Sequence, residues 1–325
     1  IKNFSLNVTD EAIRVRSEEL AGADHDKIIA ALSSIQGVKK VEIVDASGVV
    51  VASSTPQQTG AQRASLQKFA KPDYELGFLP SGNLFEPLIA DPRWPRFSMG
   101  YRYFTDEAKN VGSATFGETF ALYRNRGPFS GLWEVGFQAG VFSIFDLDAP
   151  SSDLVNTDFF AALQASYRMN DFSTFFRILH QSSHLGDEFL LRNRIDRVNL
   201  SFEGVNLILS YRPFHWLRLY GGGAYLFDLD PAGIKPWATQ AGIELQTPRF
   251  WGNTTRLVTA LDVQTWQENK WNPEISVRGG FQFERPGSFM RKISLLLEYY
   301  NGNSPNGQFF NRKIEYFGPG LYLDF

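Results

Sequence analysis

The stretch "ISVRGGFQFERPGSFMRKISLLLEYY", residues 275–300, decides the fold. Its first arm puts Ile275, Val277, Phe281 and Phe283 on one parity, and Ser276, Arg278, Gln282 and Glu284 on the other. Its second arm opposes Ile293, Leu295, Leu297 and Tyr299 to Ser294, Glu298 and Tyr300. A period of two belongs to a strand, whose successive side chains point to opposite faces. Between the arms, "PGSF" reads as a tight turn. The stretch is therefore an antiparallel hairpin with one apolar and one charged face.

The same grammar fills residues 91–325. Twelve alternating segments succeed one another, the first at 95–104, the fifth at 172–186, the sixth at 194–214 and the last at 310–325. Connections after the even segments are mostly tight, such as "ND" and "PFHW"; those after the odd ones are mostly longer and polar, such as "TDEAKNVGSA" and "GDEFLLRN". Short turns at one end, long loops at the other and an even strand number mark an outer-membrane barrel. A soluble sandwich would share the alternation with its apolar face inside. Trp94, Trp133, Trp216, Trp237, Trp251, Trp266 and Trp271 all fall near predicted strand ends, where interfacial girdles belong. The other face carries Arg96, Arg102, Glu134, Gln138, Gln164, Arg168, Arg177, Arg218, Glu244, Arg256, Asp262, Arg278, Glu284 and Glu298. Long side chains of both signs would largely fill a lumen of this size. The expected fold is all-β: a twelve-stranded antiparallel transmembrane β-barrel, preceded by a small α+β domain.

That first domain covers residues 1–70. "EAIRVRSE" alternates like a strand, and Ile28, Ile29, Leu32 and Ile35 have helical spacing behind Asp24 or Asp26 as N-cap. "KKVEIVDASGVVVASS" reads as a hairpin turning at Ala46-Ser47-Gly48, and a second helix is expected over 59–70. The plan resembles small periplasmic modules of the BON or heavy-metal-associated kind, without the cysteine pair of the metal carriers, and implies docking to a periplasmic partner. Residues 71–90 read as a linker.

Composition narrows the function classes. The chain has 325 residues, a net charge of −3 and no cysteine. Near-neutral charge without a basic run argues against nucleic acid as a partner. Zero cysteine excludes disulfides, cysteine-ligated zinc and a cysteine nucleophile. No apolar run reaches the roughly 18 residues of a transmembrane helix.

One motif carries chemistry. "RILHQSSHLGDE", Arg177–Glu188, holds two of the four histidines. On the fifth segment, Phe172, Thr174, Phe176, Ile178, His180, Ser182 and His184 share the apolar parity, so a polar group continues the lipid-facing stripe toward the outer leaflet. Polar groups facing lipid call for a reason. Three readings stand: a base and nucleophile, a rim cluster for lipid headgroups, and a metal site. His180 and His184 lie about 13 Å apart by strand rise, too far to chelate one ion. Asp187 and Glu188 are the better metal candidates, because calcium takes carboxylate oxygens. His215, beside Trp216, suits an interfacial anchor, and His25, between Asp24 and Asp26, a solvated surface.

The layout resembles outer-membrane phospholipase A, a twelve-strand barrel with a lipid-facing His-x-Ser on strand five and an asparagine on strand six. The resemblance implies His180 as base, Ser182 as nucleophile, Asn199 as the residue orienting the imidazole, calcium as cofactor and outer-membrane lipid as substrate; a lipid-facing site of this kind would need a second wall to hold acyl chains, so a homodimer is the expected working form. This chain departs from the family's His-x-Ser-Asn-Gly, and its Ser182–Asn199 interval is longer. With Asn199, Ser201 and Glu203 leading into Val205, Leu207 and Leu209, the triad faces lipid; a bulge near Gly204 would turn Asn199 inward. The ending "GPGLYLDF" resembles the C-terminal strand read by the barrel-assembly machinery. "LFEPLIADPRWPRFS", "HQSSHLGDE" and "SPNGQFF" resemble a bacterial outer-membrane family of unknown function. The non-enzymatic alternative is a barrel that anchors the N-terminal module or passes a small solute.

Overall fold

The structure, a computed structural model, describes residues 7–9, 12–16, 28–29, 32, 40–44, 50–54, 74–107, 109–194, 199–284 and 292–325. The chain divides into two compact units, Ile1–Pro72 and Asp73–Phe325.

In the first unit, β1 (Asn7–Thr9), β2 (Ala12–Arg16), β3 (Lys40–Val44) and β4 (Val50–Ser53) form one sheet in that order. β2 runs parallel to β3, and the β3–β4 pair is antiparallel. Val15, Val41 and Ile43 make its core, with Ile28, Ile29 and Leu32 packed against them. The expected turn at 46–48, the helix at 59–70, Ile35, Asp24, Asp26 and His25 lie outside the described residues.

In the second unit, β5 (Gly77–Phe78) precedes twelve long strands: β6 (Phe97–Phe104), β7 (Lys109–Arg126), β8 (Leu132–Asp146), β9 (Asp153–Met169), β10 (Phe172–Leu185), β11 (Leu200–Phe214), β12 (Leu217–Asp230), β13 (Trp237–Gln246), β14 (Thr255–Trp266), β15 (Pro273–Glu284), β16 (Lys292–Asn303) and β17 (Lys313–Asp324). Each pairs antiparallel with its neighbour in sequence, and β17 pairs with β6, which closes the barrel. Closure removes the free edges that lipid cannot solvate. β7 begins at Lys109, inside the stretch "TDEAKNVGSA" expected as a loop, so the loop before it is shorter. β11 begins at Leu200 instead of 194, and helix α1 (Asp187–Asn193) follows β10 in the loop between them.

The faces divide as the alternation requires. Phe116, Leu163, Ile178, Leu207, Leu295 and Leu297 are exposed on the outer wall, while Glu134, Gln138, Arg218, Asp262, Arg278 and Glu298 are buried in the lumen. Six tryptophans stand near strand ends, Trp266 as the last residue of β14. Trp94 does not: it is 2% exposed, inside the barrel, and Trp266 lines a lumen cavity.

Trp94 belongs to a plug. The stretch expected as a linker, and the residues just after it, turn inward after β5, which takes the slot on β7 beneath β6. Prolines at 87, 92 and 95 bar this stretch from a strand ladder. It therefore needs partners for its backbone, and the lumen charges supply them. Arg124 donates to the carbonyls of Gly82 (2.6 Å) and Ser81 (3.2 Å), and Arg168 to Leu84 (3.2 Å). Arg218 donates to Glu86 (3.0 Å) and Pro87 (3.3 Å), Glu244 accepts the Ile89 N–H (2.7 Å), and Arg278 donates to the Ile89 carbonyl (2.9 Å). Phe85, Leu88 and Trp94 pack against Phe175, Ile208 and Tyr220 of the wall, with ring centroids 5.1 Å apart for Trp94–Phe175. The lumen is thus closed by a plug whose main chain is bonded by these residues from five different strands.

Candidate active site

β9, β10 and β11 build the patch. In β10 the even residues face outward and the odd ones inward; Phe176 and Ile178 are exposed, while Phe175, Arg177 and Leu179 are buried. Register then decides which polar groups meet. His180 lies opposite Glu203 on β11 and Ala161 on β9; Ser182 lies opposite Ser201 and Phe159. Leu207 and Leu209 of β11 are exposed on the same face as Ser201 and Glu203. His180 is the ninth residue of β10, about 26 Å along the strand. With a tilt near 40°, that is about 20 Å up an apolar band about 25 Å tall, at its outer edge.

His180 Nδ1 is 2.8 Å from Glu203 Oε1, with the imidazole half exposed and the carboxylate a third exposed. Among the described residues the ring makes no second hydrogen bond, so Nε2 is open to the outside. Among the described residues the hydroxyls of Ser182 and Ser201 likewise have no protein partner. Ser182 is two residues along from His180 on one face, about 7 Å between Cα atoms. A carboxylate on Nδ1 fixes the tautomer whose Nε2 carries a lone pair, and so prepares that nitrogen to act as a base.

Asn199 is a correction to the expectation. It keeps outward parity, but it sits one residue before β11, and continuing the register puts it level with His184, four residues from His180. Its amide donates to Asp230 Oδ2 at 2.5 Å instead. The loop carrying α1 sets that register, and its length could not be read as structure beforehand. Glu203 takes the place on the imidazole. A carboxylate sharing parity with Leu207 and Leu209 was the signal for it.

The remaining motif residues separate. His184 packs edge-on to Phe159, with ring centroids 5.7 Å apart. Ser183 points inward and donates to Asp158, which also accepts the Gly307 N–H (3.0 Å) and pairs with Arg93 (3.0 Å). That serine holds the β16–β17 loop. Asp187 and Glu188 are exposed in the first turn of α1, and among the described residues no three His, Asp or Glu side chains gather as metal ligands. His215 is exposed at the β11–β12 turn, where its carbonyl accepts from Gln246.

A family model described as "Protein of unknown function (DUF1207)" matches residues 1–325. No curated protein matches the sequence. Among solved structures, the chain is similar to the outer membrane phospholipase dimer of Salmonella typhi with bound calcium: 14% identity, a TM-score of 0.51, and coverage of 74% of this chain and 95% of that one. It is similar also to an active-site mutant of outer membrane phospholipase A from Escherichia coli, at 14% identity and a TM-score of 0.50, covering 74% of this chain and 93% of that one. These likenesses show the fold, which is that of outer-membrane barrels.

Proposed function

This chain belongs to the family of unknown function DUF1207, and from its barrel and outer-wall patch we propose that it is a serine-dependent acyl hydrolase of outer-membrane lipids. One observation carries the reading: an imidazole oriented by a carboxylate at 2.8 Å, beside an unpartnered serine, on the lipid-facing wall. Glu203 holds His180. Ser182 Oγ attacks the ester carbonyl of a lipid lying along the wall, and its proton passes to His180 Nε2. The adduct collapses, the alkoxide leaves with that proton, and water, deprotonated by the same nitrogen, releases the fatty acid and restores the serine. The apolar residues below the site lie where an acyl chain would run.

Calcium is the ion that the phospholipase resemblance implies. Asp187 and Glu188 are exposed neighbours on one helical turn and offer two carboxylates, against about six to eight oxygens for calcium. They do not make a calcium site, and no step above runs through the ion. The working form in this proposal is a homodimer, because a site open to lipid on one side needs a second wall to hold the chain. The N-terminal unit would face the periplasm and dock a partner there, and the last strand would be read by the barrel-assembly machinery. The solute-channel alternative is disfavoured by the plug.

The test is fatty-acid release from phospholipid–detergent micelles, with and without calcium, for wild type, Ser182→Ala and His180→Ala. Retained heat-modifiable gel mobility reports the folded barrel. Loss of release in both folded variants supports the proposal. No release by folded wild type, or equal release by the variants, removes it and leaves a membrane anchor.

A further inference from the structure

The outer half of the lumen, between the plug and the loops at 231–236, 267–272 and 304–312, holds a cavity of about 160 Å³. It is separate from the outer-wall patch. Its walls are mostly apolar, with Phe160, Leu179, Phe202, Leu226, Ala238 and Trp266 among them. Two buried polar side chains in those walls are left unsatisfied. Asn206 donates to the Gly223 carbonyl at 3.1 Å, but its Oδ1 has no partner. Arg177 is the more telling.

Arg177 is 8% exposed, and its one hydrogen bond runs from Nη1 to Gln138 Oε1 at 3.0 Å. Its Nε is buried without a partner. The rings of Phe160, Trp94 and Phe175 lie 5.2, 5.7 and 5.8 Å from the guanidinium. Every other arginine described in the lumen meets a carboxylate or a plug carbonyl: Arg93 pairs with Asp158, Arg218 with Glu244, and Arg96 donates to Leu88. Asp91, the plug carboxylate on the same cavity, gives Oδ1 to the Arg93 N–H (2.8 Å) and Gln264 (3.3 Å) and forms no ion pair with Arg177. Ring faces attract a cation weakly, whereas a buried cation without an anion is costly. Asp91 acts on Arg177 through space, and Glu268 and Glu274 line the same cavity, but among the described residues no carboxylate is in ion-pair contact with this guanidinium.

We propose that this cavity binds a small amphiphilic carboxylate. The carboxylate pairs with Arg177, which a guanidinium does in bidentate geometry. The apolar body lies against Phe160, Phe202 and Trp266, and Asn206 Oδ1 accepts from a ligand hydroxyl or N–H. The volume suits a body of benzene size, since an apolar cavity of about 150 Å³ holds benzene.

The experiment is calorimetric titration of the full chain in a non-ionic detergent with benzoate and with benzamide, its neutral isostere. Saturable benzoate binding is expected, with benzamide at least tenfold weaker. Arg177→Gln should erase that preference. Ala238→Phe, which fills the cavity from β13, should abolish benzoate binding while leaving Arg177 in place and the heat-modifiable band intact. Displacement of benzoate by palmitate would put the natural source in the membrane; failure to displace it would point to a dissolved carboxylate. Equal binding of benzoate and benzamide, or benzoate affinity unchanged in folded Arg177→Gln or Ala238→Phe, would overturn the proposal.

Discussion

Replacing Arg218 by methionine should loosen the plug without touching the outer wall. Arg218 is 3% exposed and serves four partners: Ser210 Oγ (2.8 Å), Glu244 Oε2 (3.1 Å), the Glu86 carbonyl (3.0 Å) and the Pro87 carbonyl (3.3 Å). It also lies 4.8 Å over the Phe85 ring. Methionine roughly keeps the volume and leaves Glu244 as a buried, unpaired carboxylate. Breaking such a pair from one side costs about 3–5 kcal/mol. Glu244→Gln alone strands Arg218, although the amide can still accept the Ile89 N–H that Glu244 holds at 2.7 Å. The double variant removes both charges, so it should cost less than the two singles summed, by about 1–3 kcal/mol. Urea unfolding in lipid vesicles, followed by tryptophan fluorescence, measures all three. Planar-bilayer recording of the same proteins should show no steps for wild type and transient conductance for Arg218→Met. A single-variant cost below about 1 kcal/mol with strict additivity would refute the claim that this pair pins the plug.

Three further outcomes follow from the same geometry. Trp94→Ala removes a ring packed against both Phe85 and Phe175 and should destabilise the barrel by about 3–5 kcal/mol in the urea experiment. Glu203→Leu should lower kcat for fatty-acid release by about 10²–10⁴ at unchanged KM, and Glu203→Gln should lose about as much, because its amide N–H can donate to Nδ1 and so place the ring proton on Nε2. Asn199→Ala should leave kcat within about twofold, because Asn199 bonds Asp230 and not His180.

The barrel was legible because lipid and lumen impose a strict period of two. Each strand from β6 to β17 overlaps an alternating segment, and the charged parity named from sequence lies in the lumen. The plug was not legible, because "LFEPLIADPRWP" has no period and its prolines read as a linker. A trace of it was present: Phe175 and Ile208 stand on the polar parity, where an apolar residue has no reason to be unless something apolar meets it. Trp94 was misassigned for the same cause. Its neighbours in sequence begin β6, while its partners in space come from the plug and β10. At the outer-wall patch, parity put His180 and Ser182 on the outward face, and the phospholipase resemblance supplied their proposed roles. Their partner depended on register across β10 and β11, and register depended on a loop that folds into α1. A residue type matching the phospholipase pattern pointed to Asn199; the ladder brings Glu203.

The most direct measurement of the central claim is covalent capture of the nucleophile. The folded barrel in mixed micelles would be treated with a fluorophosphonate bearing an alkyl chain, digested, and mapped by mass spectrometry. The account predicts one adduct, on Ser182, lost in His180→Ala and reduced in Glu203→Leu. An adduct confined to Ser201 or another serine, or none on protein that is folded and releasing fatty acid, would contradict it.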